Sequence, residues 1–183
     1  MIVNFICESP ERTQQLGQAL GSLLRPGDVV LLTGELGAGK TQLTKGVARA
    51  LGVERPITSP TFNLVYEYRD ALGGRVLLRH FDLYRLEAAE ELDDIDYFGL
   101  LEDEAVSVVE WGDKFAQAMP LAYLLVALEF VDEATRVLRC EACGPRGLEL
   151  LEALAAVEGA VVLEDAAAAD EAGAVVEGAA DGC

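Results

Sequence analysis

Lys40 and Thr41 close the run Gly34-Glu35-Leu36-Gly37-Ala38-Gly39-Lys40-Thr41, a full match to the phosphate-binding pattern G-x-x-x-x-G-K-[ST]. The residue types state the chemistry. Glycines let backbone N–H groups approach phosphate oxygens, and a helix start adds unsatisfied donors and the positive end of a dipole. The lysine then serves as charge clamp on the β- and γ-phosphates, and the threonine hydroxyl ligates Mg²⁺. The expected nucleotide contacts in this stretch are Gly34, Leu36, Gly37, Ala38, Gly39, Lys40, Thr41 and the following Gln42, with Thr41 also on the metal.

Such a loop needs a carboxylate near its cation. Ala105-Val106-Ser107-Val108-Val109 is a near-continuous apolar run ending in Glu110-Trp111-Gly112-Asp113. An acid directly after a central strand is where P-loop proteins hold Mg²⁺ or its water shell, so Glu110 is read as the second metal ligand in preference to a solvated strand end. Asp82 also ends an apolar run, and competes for that role or shares it by polarising the attacking water. A shared cation keeps both carboxylates ionised. Lys40, Asp82 and Glu110 are therefore the expected catalytic residues. Thr58-Ser59-Pro60-Thr61-Phe62 carries three hydroxyls on a segment made loop by its prolines. It is either a loop that senses Mg²⁺ and the γ-phosphate, with Thr61 as a nucleotide contact, or a solvated turn with local side-chain caps.

The elements that must position these groups follow from periodicity. Asp28 to Thr33 reads as a buried strand and Thr41 to Leu51 as a helix with apolar Leu43, Val47, Ala48 and Leu51, so strand, glycine loop and helix stand in the order the motif requires. Before them come a strand at Ile2 to Cys7 and a helix opened by Ser9-Pro10 and running to Leu24. After them, Phe62 to Tyr68 and Val76 to Phe81 read as a hairpin across Asp70 to Gly74. Glu87 to Ile95 reads as a short acidic helix, and Asp96 to Gly99 as a turn with exposed aromatic character. Leu121 to Phe130 and Thr135 to Ala142 are two late antiparallel strands, and Gly147 to Val157 a closing helix. The expected fold is α/β: one P-loop NTPase-like domain over residues 1 to 157, with a mixed central sheet of parallel core and antiparallel hairpins flanked by helices.

Residues 158 to 183 carry seven acids and no Lys or Arg among Ala and Gly, which reads as a disordered, solvating tail. The whole chain of 183 residues has a net charge of −18 from 32 acids and 14 bases. Without the tail the net charge is still about −11, so direct tight binding of RNA or DNA is not expected. No run approaches the roughly 20 apolar residues of a membrane helix, and Met1 to Cys7 lacks a basic leader, so the expected location is the cytoplasm. The Cys140-x-x-Cys143 pair lies in a strand-like run, without a full zinc ligand set and away from a helix start. It is read as a pair of reduced structural thiols and not as a metal or redox centre.

Taken together, the glycine loop, Thr58-Ser59-Pro60-Thr61-Phe62, His80-Phe81-Asp82-Leu83-Tyr84-Arg85 and Val109-Glu110-Trp111 closely resemble the bacterial TsaE family, formerly YjeE, over residues 1 to 157. The resemblance implies a small P-loop ATPase that binds ATP and Mg²⁺ and acts with TsaD and TsaB proteins. Those partners transfer a threonylcarbamoyl group to adenosine 37 of tRNAs reading codons that start with A. It also implies phosphate and Mg²⁺ roles for Lys40 and Thr41, a Mg²⁺ ligand at Glu110 and a functional carboxylate at Asp82. Gln42 stands where that family frequently has a second Thr, and Gly112-Asp113 replaces its more usual small residue and Glu. Three other functions compete: a GTP switch, for which the chain lacks an Asn-Lys-x-Asp segment; a small-molecule kinase, for which it lacks an Arg-rich lid between Arg85 and Arg136; and a nucleotide-gated binding module with little turnover.

Overall fold

The structure, a computed structural model, describes residues 1–158. Seven strands form one mixed sheet in the order β1-β7-β6-β2-β5-β4-β3. They are β1 Ile2–Cys7, β2 Val29–Thr33, β3 Val65–Arg69, β4 Val76–Asp82, β5 Val106–Glu110, β6 Tyr123–Phe130 and β7 Arg136–Cys143. The helices are α1 Pro10–Leu23, α2 Lys40–Ala50, α3 Glu91–Asp94, α4 Tyr97–Glu102 and α5 Gly144–Glu158. β6, β2, β5 and β4 run parallel, while β1 and β7 on one side and β3 on the other add antiparallel pairings.

The apolar run of β2 has a physical reason. A strand inside a parallel core is covered on both faces, so it cannot alternate polar and apolar. Its side chains alternate between two cores instead: Val30 and Leu32 join Leu16, Leu20, Leu43 and Val47 of α1 and α2 on one face. Val29 and Leu31 join Phe81, Leu92, Tyr97 and Val109 on the other. The same period-2 parity assigns Val106, Val108 and Leu78 to the α1/α2 face. His80, Asp82 and Glu110 share that parity, so the strand pattern delivers all three to the side where α2 begins.

The structure moves several expected boundaries. Residues 62–64 are a turn, with the Asn63 and Leu64 N–H groups donating to the Pro60 carbonyl and Leu64 at φ 63°. β3 therefore starts at Val65, and Phe62 stands 83% exposed. The acidic segment after Arg85 is helical only over Glu91–Asp94, and the expected turn at Asp96 to Gly99 is instead the start of α4, with Phe98 exposed as expected but Tyr97 not. Asp96 reverses the chain at φ 50° and α4 opens at Tyr97, which is fully buried and donates its hydroxyl to the Ala118 carbonyl at 2.9 Å. Edge-on packing against Phe81, 5.2 Å between ring centroids, explains why that aromatic turns inward. The last helix begins three residues earlier than expected, at Gly144. Apart from Glu158, the expected acidic tail lies outside the described residues. Cys7 and Cys140 are buried on the antiparallel side, and burial pushes the Cys140 thiol up to about 12, whereas Cys143 is disulfide-bonded and not the reduced thiol expected. Among the described residues no helix is long and apolar enough to cross a membrane.

Candidate nucleotide site

β2 ends at Thr33, and the chain turns through Gly34 to Gly39 into α2 at the centre of the parallel sheet. Gly34 sits at φ 127°, and a Cβ there would lie 2.4 Å from the Leu128 carbonyl oxygen. No other residue type fits between the loop and β6. Gly39 holds the N-cap of α2 at φ 108°, without a side-chain cap, so the first N–H groups of the helix are left for another acceptor. The loop forms one wall of a cleft of about 570 Å³, within the range of small-molecule sites.

Other elements complete the cleft. Pro10 and Thr13 come from the start of α1, Asp82, Tyr84 and Arg85 from the end of β4, and Glu110 and Trp111 from the end of β5. Arg136 enters from β7, its Nε donating to the Ala38 carbonyl at 3.2 Å and its guanidinium stacked over Phe130 at 4.1 Å. Asp82 and Glu110 are register partners on neighbouring parallel strands, so both carboxylates face the same space.

The Thr41 hydroxyl donates to Glu110 Oε1 at 2.9 Å, joining the head of α2 to the end of β5. Lys40 is 5% exposed and donates to the Gly34 and Glu35 carbonyls at 2.7 and 2.9 Å, with its ammonium 4.4 Å from the centre of the Trp111 ring. Burial pushes Lys40 below the ordinary lysine value, and the Glu110, Asp82 and Asp113 carboxylates oppose that shift. Trp111 itself stands at φ 62°, a strained backbone for a bulky side chain, secured by its N–H bond to the Leu32 carbonyl at 2.8 Å.

Asp82 gathers the hydroxyl loop. Ser59 and Thr61 both donate to its Oδ2, at 2.8 and 2.7 Å, and the Tyr84 N–H donates to Oδ1 at 3.1 Å. Lys114 fastens the turn beyond Asp82 by donating to the Tyr84 and Leu86 carbonyls. The expected site residues meet around one cleft, Thr61 among them, except Gly34, which packs against the Leu128 backbone and does not line it. Gln42 also lines it, but its side-chain oxygen accepts from Gln14 of α1 at 2.9 Å. Thr58 does not line the cleft; its backbone N–H and carbonyl bond the Tyr68 hydroxyl. Ser59 and Arg136 had no role assigned from the sequence, nor had the lining residues Pro10, Thr13, Tyr84, Arg85 and Trp111, nor His80, which stays outside the lining but whose Nε2 lies 2.9 Å from Glu110 Oε1. Ser59 was within reach, sitting beside Thr61 in a hydroxyl-rich loop, whereas no local pattern links Arg136 to Ala38.

Residues 7–138 match the family described as threonylcarbamoyl adenosine biosynthesis protein TsaE. A tRNA threonylcarbamoyladenosine biosynthesis protein TsaE of Mycobacterium tuberculosis H37Rv is 47% identical over 134 residues, covering 69% of this chain and 79% of that one. Its counterpart in Bacillus subtilis 168 is 35% identical over 146 residues, covering 80% and 89%. A crystal structure of Bacillus subtilis YdiB is similar in fold, with a TM-score of 0.70 at 29% identity, over 85% of this chain and 95% of that one.

Proposed function

The chain belongs to the TsaE family of tRNA threonylcarbamoyladenosine biosynthesis, and from that premise we propose that it binds and hydrolyses ATP with Mg²⁺ in that pathway, acting on TsaD and TsaB proteins and not on tRNA alone. The observation that carries the reading is the bond from Thr41 at the head of α2 to Glu110 at the end of β5, beside Lys40 and across from Asp82. Thr41 and Glu110 offer hard oxygen donors of the kind Mg²⁺ takes, and they are the residues that would hold it. Mg²⁺ there would neutralise charge on the β- and γ-phosphates.

The rest is work for this chain's own groups. Lys40 exchanges its two carbonyl acceptors for phosphate oxygens. The free N–H groups at the start of α2 receive phosphate as well. Asp82 gives up the Ser59 and Thr61 hydroxyls, which become available to the terminal phosphate, and its carboxylate orients the attacking water. Trp111 and Tyr84, 5.2 Å apart, close the site beside the lysine.

Two measurements test the proposal. Depletion of the protein should lower threonylcarbamoyladenosine in cellular tRNA, and unchanged levels would defeat the pathway role. Single-turnover ATP hydrolysis should be slow with the chain alone and faster when TsaD and TsaB are added. Stable ATP occupancy with no cleavage in either case would replace the ATPase by a nucleotide-gated binding module.

A further inference from the structure

Glu110 is not held by Thr41 alone. His80 on β4 is fully buried, and its Nε2 lies 2.9 Å from Oε1, the same oxygen that accepts the Thr41 hydroxyl. A carboxylate only accepts, so the Nε2 position carries the proton. The other ring nitrogen, Nδ1, is buried with no hydrogen-bond partner. The fold therefore bears a stranded polar atom in its core at this residue. Packing gives no reason for that choice, because the register neighbours of His80 are Val108 on β5 and Tyr66 on β3. An apolar side chain there would avoid the stranded nitrogen.

The placement supplies the reason. His80 lies two residues before Asp82 on the same face of β4, and Asp82 is paired in register with Glu110. From that position the imidazole reaches the carboxylate without itself lining the cleft that Glu110 lines. We propose that His80 is the positioning residue for Glu110: its Nε2–H fixes the carboxylate so that it meets a cation already oriented. The inference rests on the reading of Glu110 as a metal ligand. A buried donor that orients a ligand commonly changes metal affinity by about 10- to 100-fold when removed.

The test uses the full chain and four substitutions, H80L, H80N, H80Q and E110Q. The quantities measured are the Mg²⁺ concentration for half-maximal binding of a fluorescent ATP analogue, the affinity for that analogue without Mg²⁺, and the melting temperature. H80L removes the donor and the stranded nitrogen together. It should raise the Mg²⁺ requirement about 10- to 100-fold while leaving Mg²⁺-free affinity and melting temperature at or above the starting values. H80Q, whose amide nitrogen reaches the place of Nε2, should restore most of the Mg²⁺ response. H80N reaches only the place of Nδ1 and should behave like H80L, which keeps the test available if H80L folds poorly. Wild-type Mg²⁺ dependence in H80L or H80N overturns the proposal, as does a folded H80Q no better than H80L. E110Q separates the two readings: if it leaves the Mg²⁺ requirement unchanged, the metal role of Glu110 fails, and if it raises the requirement while H80L does not, only the positioning role fails.

Discussion

Lys40 is the residue whose surroundings say most about how this site responds to its ligand. Burial lowers its proton affinity, while Glu110, Asp82 and Asp113 partly restore it. The phosphates of the proposed nucleotide are anionic, so on binding they would raise it further. The sign follows from linkage: the ammonium form binds, its pKa is lowered in the free protein and raised in the complex, so affinity is level below the free value and falls as pH rises through it. Calorimetry in two buffers of different ionisation enthalpy should show net proton uptake on ATP binding at alkaline pH and none near neutrality. K40A should remove that uptake and weaken binding by about 10- to 150-fold, from the roughly 1.5–3 kcal/mol of hydrogen bonds to a charged group. Proton uptake persisting in K40A would assign it to another group. At this scale much of the site was legible. Lys40 and Thr41 stand in a fixed pattern, and Asp82 and Glu110 end apolar strands. His80 was not, because a histidine inside a strand of core parity looks like a packed side chain until its partner is seen. Arg136 was hidden by distance along the chain, 98 residues from the loop it touches.

Between elements, the tightest constraint is the contact of α1 with α2, the two helices that carry Thr13 and the phosphate loop to the cleft. Each presents glycine to the other. A Cβ on Gly46 would lie 2.1 Å from the Gln14 carbonyl oxygen, and one on Gly17 would lie 2.2 Å from that of Leu43. Backbone sits on the far side of both contacts, so no rotamer change relieves the clash. G46A should therefore destabilise the protein by about 1–3 kcal/mol despite the better helix propensity of alanine. It should also weaken ATP binding, since α2 can retreat only by carrying Lys40 and Thr41 with it. G74A in the β3–β4 turn, where an added Cβ meets nothing within 4 Å, serves as control. Urea denaturation reads the first effect, and equal midpoints for the two variants would show that the helices have room. Sequence periodicity identified both helices but not their closeness, because small residues carry no apolar signal. It missed the helix α4 and its buried Tyr97, which belongs to a core cluster formed by distant Phe81 and Ala118, while Phe98 is exposed as expected.

For the whole molecule, the mixed sheet and the glycine loop between β2 and α2 were readable in advance because parallel strands are uniformly apolar and the loop has a fixed spelling. The pairing of β6 beside β2 was not, since strand order depends on which faces the helices leave open. Charge is the global property that bears on function. A chain of net charge −18 must act in a tRNA-modification pathway whose substrate is a polyanion. Nonspecific grip on nucleic acid comes from cations that displace phosphate counterions, and affinities of about 10⁻⁴–10⁻⁶ M at physiological salt need several such contacts. Several of this chain's 14 bases are already engaged with its own carboxylates or carbonyls: Arg79 with Glu67 and Asp103, Arg146 with Asp28, Lys114 with the turn after Asp82. The purified full chain should therefore bind unmodified tRNA more weakly than about 100 μM at 150 mM salt, beyond the nonspecific range, and lowering the salt should improve binding little. Retention of tRNA on the chain should appear only when a partner protein supplies the cationic surface. Micromolar binding by the chain alone, falling steeply as salt rises, would instead locate a tRNA-contacting face on this molecule and remove the need for a partner in substrate capture.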